Sequence, residues 1–255
     1  MILAVDVGNT NIVLGVLDKS EIVCSGRLST EIYETADEYA MKLSFFLKLH
    51  NIENIEGAII SSVVPQLVRT LRTAIRLVTG VCAMILGPGI KTGLHIKAGN
   101  ASELGADMVA GAVAGINKYS CPMVIFDFGT ATTASVIDKN GAFIGCLIYC
   151  GVKTAMNAIS AGTAQLPQID ISTPSKLIGT NSAECMKSGA VYGAAATVDG
   201  LVERIGEELG EKVSVIVTGG IGKAIARHCK TEVVTDENLL LDGLRIIYEK
   251  NINQE

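Results

Sequence analysis

Short, almost continuous apolar runs alternate along the chain with longer stretches whose apolar positions recur at helical spacing. Residues 2–18 (ILAVDVGNTNIVLGVLD) run apolar, then tight and polar at Asp6-Val7-Gly8-Asn9-Thr10, then apolar again, which predicts a strand, a turn and a second strand. Residues 123–138 (MVIFDFGTATTASVID) repeat the plan. Aligning Asp6 with Asp127 sets the two stretches 121 residues apart, nearly half the chain, and predicts two halves of related topology. Residues 58–64 (AIISSVV) predict a buried strand followed by a helix after Pro65. Residues 214–218 (SVIVT) predict another strand, ending at Gly219-Gly220. Helices are expected at 35–50, 106–117, 181–209 and 238–251. Alternation of this kind predicts an α/β fold. The reset from helix to strand near 117–122 places the domains at 1–117 and 118–255.

Composition narrows the class. Of 255 residues, 49% are hydrophobic and 18% charged, enough apolar material for a folded core and too little charge for a disordered chain. The formal net charge of −5 and the lack of a Lys/Arg-rich run argue against nucleic-acid binding. Seven cysteines, odd in number and never spaced C-x-x-C, read as reduced thiols. The N-terminus lacks a basic segment and carries Asp6 within its apolar start, so it reads as a first strand and not a signal peptide. No 18-residue stretch is free of polar and charged side chains, so no transmembrane helix is expected and the location expected is cytoplasmic.

The glycines, 27 in all, cluster with acids and hydroxyls where chemistry is expected. In Asp6-Val7-Gly8-Asn9-Thr10 the Gly lets backbone N–H groups approach phosphate oxygens, while Asn and Thr add short neutral donors. Asp6, at the strand's end, is placed to bind Mg²⁺ directly or through water. The same residues also suit an ordinary hairpin turn. A second copy at Asp127-Phe128-Gly129-Thr130-Ala131-Thr132-Thr133 strengthens the first reading, since two such hairpins facing each other would clamp a nucleotide's phosphates. At Val217-Thr218-Gly219-Gly220-Ile221-Gly222 a strand enters a glycine turn that suits an adenine or ribose, though packing alone also explains such glycines. The absence of G-x-x-x-x-G-K-[ST] excludes a P-loop, and the absence of G-x-G-x-x-G after the first strand argues against a Rossmann dehydrogenase. Asp107, at the start of a predicted helix, can accept a proton from an alcohol during phosphate transfer. An acid there is also favoured simply by the helix macrodipole.

In combination these residues resemble the type III pantothenate kinases. The resemblance runs along nearly the whole chain: DVGNTN at 6–11, SSVVP at 61–65, GPGIKTGL at 87–94, GAD at 105–107, DFGTATT at 127–133, LP at 166–167, TGG at 218–220 and LLLDGLRIIYEKN at 239–251. It implies two actin-like, ribonuclease H-like α/β domains with the active site in the cleft between them. It further implies ATP-dependent phosphorylation of pantothenate to 4′-phosphopantothenate, the first step of coenzyme A biosynthesis, with Mg²⁺ and a monovalent cation (K⁺ or NH₄⁺), in a homodimer. By position, ATP contacts fall at Asp6, Val7, Gly8, Asn9, Thr10, Asn11, Ile12 and Val13, and at Thr130, Gly219 and Gly220. The general base falls at Asp107, the monovalent cation at Asp127, and substrate contacts at Gly105, Ala106, Asp107, Met108 and Ser182. Met108 stands where the family usually reads Arg and Ser182 where it reads Thr, so the departures gather on the acceptor side. Two alternative expectations follow: a kinase of the same fold for another small hydroxylated metabolite, and a weakly active nucleotide-binding regulatory paralogue.

Overall fold

A computed structural model describes residues 1–99 and 103–252. One sheet contains β1 (Ile2–Val7), β2 (Asn11–Asp18), β3 (Glu21–Ser29), β4 (Gly57–Ser62) and β5 (Met84–Ile85), in the order β3-β2-β1-β4-β5. Strands β1 to β3 form an antiparallel meander, and β4 and β5 run parallel to β1. The other sheet contains β6 (His95–Ile96), β7 (Met123–Phe128), β8 (Ala131–Ile137), β9 (Ala142–Cys150), β10 (Ser214–Thr218) and β11 (Val234–Thr235), in the order β11-β10-β7-β8-β9-β6. Without the edge strand β6, its order and strand directions are those of the first sheet, with β7 in the place of β1 and β10 in the place of β4. The duplication expected from the 121-residue offset is therefore a duplication of topology.

Strands β1, β4, β7 and β10 are nearly all apolar because both faces of these inner strands are covered. Around them lie α1 (Ala36–Leu49), α2 (Pro65–Thr79), α3 (Ala106–Lys118), α4 (Val152–Gly162), α5 (Ser182–Leu209), α6 (Gly222–Ala226) and α7 (Leu239–Ile252). Their ends follow local chemistry. Thr35 and Glu38 close a capping box on α1, Pro65 opens α2, and Asn181 caps α5 by accepting the Glu184 N–H. Strands β3 and β9 and helix α4 were not anticipated from the apolar pattern.

The chain divides into two compact units: one holds the described residues of 1–94, 100–114 and 239–255, the other His95–Gly99 and Gly115–Asn238. This departs from contiguous halves at 1–117 and 118–255 in three places, the smallest being that residues 115–117 of α3 fall in the second unit. Helix α7 returns to the first unit because Leu241, Leu244 and Ile247 share a core with Ala4, Ile59, Ala110 and Val113. Strand β6 belongs to the second unit because it pairs with β9, where the Lys97 N–H donates to the Phe143 carbonyl at 2.8 Å and Lys97 Nζ meets Asp138 at 2.7 Å. Within the first unit, α1 and α2 cover one face of the sheet over Leu3, Val5, Leu14 and Ile60. Helices α3 and α7 cover the other.

Candidate active site

In the first unit, β1 and β2 pair as a hairpin with Val7 opposite Ile12 and Asp6 opposite Val13. The turn closes through the Gly8 N–H donating to the Asn11 carbonyl at 3.0 Å. Thr30, at the end of β3, braces it from the side: its N–H donates to the Thr10 carbonyl at 3.0 Å and its hydroxyl to the Gly8 carbonyl at 2.7 Å. Asn9, Thr10 and Asn11 are exposed at the tip. The side chains of Val7 and Ile12 are fully buried in the core, so they hold the turn and leave only its backbone and polar side chains open to a ligand. Asp6, next to last in β1, lies on the face covered by α3, as Ala4 on that strand shares a core with Ala106 and Ala110.

Asp107 lies in the first turn of α3, which opens with the Val109 N–H donating to the Gly105 carbonyl at 3.1 Å. Its carboxylate accepts the Met108 N–H at 2.8 Å. Burial pushes the carboxyl above the ordinary carboxylate range, and the backbone hydrogen bonds pull it part of the way back. A carboxylate made more basic in this way is suited to proton abstraction. Gly105, Ala106 and Met108 flank it, half-buried.

The second unit repeats the hairpin with a shorter turn. Phe128 pairs with Thr132 and Asp127 with Thr133, and Gly129 and Thr130 are exposed at the tip. Here α4 does the bracing: the Thr154 hydroxyl donates to the Thr130 carbonyl at 2.8 Å. At Gly151, which caps α4, a Cβ would run into the carbonyl oxygens of Gly129 and Thr130. The glycine turn after β10 packs on the same hairpin. Gly219 has φ +88°, and a Cβ there would lie 2.5 Å from Asp127 Oδ1 and 2.6 Å from the Phe128 nitrogen. Gly220 beside it is exposed. The structure thus groups Asp127, Thr130, Gly219 and Gly220. Ser182, the first residue of α5, instead lines a cavity of about 680 Å³ with Met156, Ile159, Leu166, Cys185 and Met186.

Two buried hydroxyls beside these turns lie within motifs that the sequence offered, SSVVP and TGG, without a role of their own. Ser61, 0% exposed, lies on β4 in register with Asp6, and Thr218, 3% exposed, lies on β10 in register with Asp127. Their signal was a hydroxyl at or next to the end of an apolar strand in each half, which gains meaning only once strand pairing is known. Among the described residues no three His, Cys, Asp or Glu side chains form a ready-made metal cage. A divalent ion here would be held by a carboxylate such as Asp6 together with nucleotide phosphates, an arrangement that suits Mg²⁺.

The family model for type III pantothenate kinase matches residues 2–204. A relative from an Exiguobacterium species, described as a type III pantothenate kinase, is 44% identical over 98% of this chain and 99% of its own length. A second, from Exiguobacterium sibiricum and described in the same way, is 45% identical over 98% of this chain and 100% of its own. Among solved structures, component A of (R)-2-hydroxyglutaryl-CoA dehydratase from Acidaminococcus fermentans superposes with a TM-score of 0.57 at 15% identity, covering 99% of each chain. That likeness concerns the fold, which is the α/β architecture of two actin-like domains. Matched along most of its length and closely related to full-length members, the chain belongs to the type III pantothenate kinase family.

Proposed function

We propose that the protein transfers the γ-phosphoryl group of ATP to the primary hydroxyl of pantothenate, forming 4′-phosphopantothenate and ADP on the route to coenzyme A. The observation that carries this reading within a chain of this family is Asp107, a half-buried carboxylate of raised basicity at the start of α3. Asp107 takes the hydroxyl proton as the oxygen attacks phosphorus. Asn9 and Thr10 at one turn and Thr130 at the other present short polar groups to phosphate oxygens, with Val7, Gly8, Asn11, Ile12 and Val13 shaping the first turn. Gly219 and Gly220 receive the nucleoside. Mg²⁺, bound with ATP beside Asp6, supplies charge neutralisation of the phosphates. A monovalent cation, K⁺ or NH₄⁺, is assigned to Asp127. Gly105, Ala106, Met108 and Ser182 contact the acceptor.

We place the protein in the cytoplasm as a homodimer. Among the described residues no helix is long and apolar enough to cross a membrane. A solution mass of one 26.7 kDa chain would contradict the dimer. The activity is tested with a panel of acceptors at saturating ATP and Mg²⁺, comparing pantothenate with other hydroxy acids and with neutral alcohols. Pantothenate is expected to give the highest kcat/KM, with one ADP released per phosphopantothenate. A neutral alcohol turned over faster, or ADP release indifferent to acceptor, would overturn the reading.

A further inference from the structure

Ser61 is fully buried, and its Oγ has no hydrogen-bond partner among the described residues. Ser62, next to it, shows what a locally satisfied hydroxyl looks like on this strand: its Oγ donates to the Val64 carbonyl and accepts the Val64 N–H, both at 3.0 Å. An unpaired buried hydroxyl opposes folding, so it points to a partner that arrives with a ligand. The place narrows what that partner is. Ser61 and Asp6 are register partners on adjacent parallel strands, so their side chains rise from the same face about 4.8 Å apart. That face is the one covered by α3, whose Ala106 precedes Asp107. The second unit repeats the arrangement, with the buried Thr218 in register with Asp127 on the strand that replaces β4. A buried hydroxyl therefore lies beside the acid in both halves.

We propose that Ser61 is a positioning residue of the phosphoryl-transfer site, its hydroxyl bonding a water of the divalent cation held by the Asp6 carboxylate. Mg²⁺ dehydrates reluctantly and keeps several of its waters in such sites, so a neutral hydroxyl beside the carboxylate orients the hydrated ion without adding charge. This rests on the reading of the chain as an ATP- and Mg²⁺-dependent kinase.

The test compares the unsubstituted protein, Ser61→Ala and Ser62→Ala. Binding of Mn²⁺ to the complex with a non-hydrolysable ATP analogue is followed by electron paramagnetic resonance. Affinity for the analogue alone is measured in EDTA, and thermal unfolding without ligands. Ser61→Ala is expected to weaken Mn²⁺ binding about fivefold, leave the metal-free analogue affinity within about twofold, and leave the unfolding temperature unchanged or raised. Ser62→Ala is expected to lower the unfolding temperature and leave Mn²⁺ affinity alone. Unchanged Mn²⁺ affinity in Ser61→Ala overturns the proposal. So does a lowered unfolding temperature with both affinities weakened together, which is the signature of a structural serine. If the unsubstituted protein with the analogue holds no Mn²⁺, the kinase reading fails, and this inference with it.

Discussion

Burial raises the pKa of Asp107, and with Asp107 as the proposed base that sets two opposite pH trends. A base must be ionised to act, so turnover falls as pH drops through a value above the ordinary aspartate pKa near 3.9. Stability moves the other way. Because the folded state raises this carboxyl's pKa, the charged form disfavours folding at neutral pH, and that cost is relieved as pH falls through the folded value. A kcat profile whose acid limb lies at or below that of a free aspartate would contradict the assignment. Met108 poses a separate question of specificity. If the missing cation weakens the grip on the pantothenate carboxylate, Met108→Arg lowers the KM for pantothenate about tenfold and leaves that for ATP unchanged. An unaltered KM would remove Met108 from the account of specificity. The turn residues were legible in the sequence because glycine, acid and hydroxyl chemistry is local. Ser61 and Thr218 were not, because their meaning depends on which strand lies alongside.

The turn at Gly129 and Thr130 owes its position to a helix that sequence pattern did not reveal. Helix α4 (VKTAMNAISAG) is rich in β-branched and small polar residues of modest helical preference, and tertiary contact holds it in place. Gly151 lets its first turn lie directly on the Gly129 and Thr130 carbonyls, and Thr154 ties the contact with a hydrogen bond. Gly151→Ala is therefore expected to cost about 2 kcal/mol of stability and to raise the Kd for ATP at least tenfold by displacing the turn. Gly162, at the far end of the helix, has open space where a Cβ would sit, so Gly162→Ala serves as a matched control with neither effect. Equal effects in the two variants would refute the bracing role. Strand β3 was missed for a different reason. Its sequence EIVCSGRLS alternates exposed and half-buried positions along the sheet edge and contains no fully buried run to signal a strand.

At the scale of the whole molecule, the internal repeat was the most legible feature. The 121-residue offset found two acids, and the structure places both on central strands of sheets with one topology. The division of the chain was less legible, because neither α7 nor β6 announces its core: α7 is recruited by Ala4, Ile59 and Ala110, and β6 by pairing with β9. Duplicated turns of this kind could bind a nucleotide without chemistry, so in the proposed reading Asp107 is what separates a kinase from a nucleotide-binding relative without catalysis. The direct measurement is single-turnover phosphoryl transfer to pantothenate by the unsubstituted protein and by Asp107→Asn, with ATP affinity and thermal unfolding recorded on the same samples. Asp107→Asn keeps an acceptor for the Met108 N–H and removes a buried charge. It should retain ATP affinity, unfold at an equal or higher temperature, and transfer phosphate at least about a hundredfold more slowly. Transfer within a few-fold of the unsubstituted rate, with phosphopantothenate confirmed as product, would contradict Asp107 as the base.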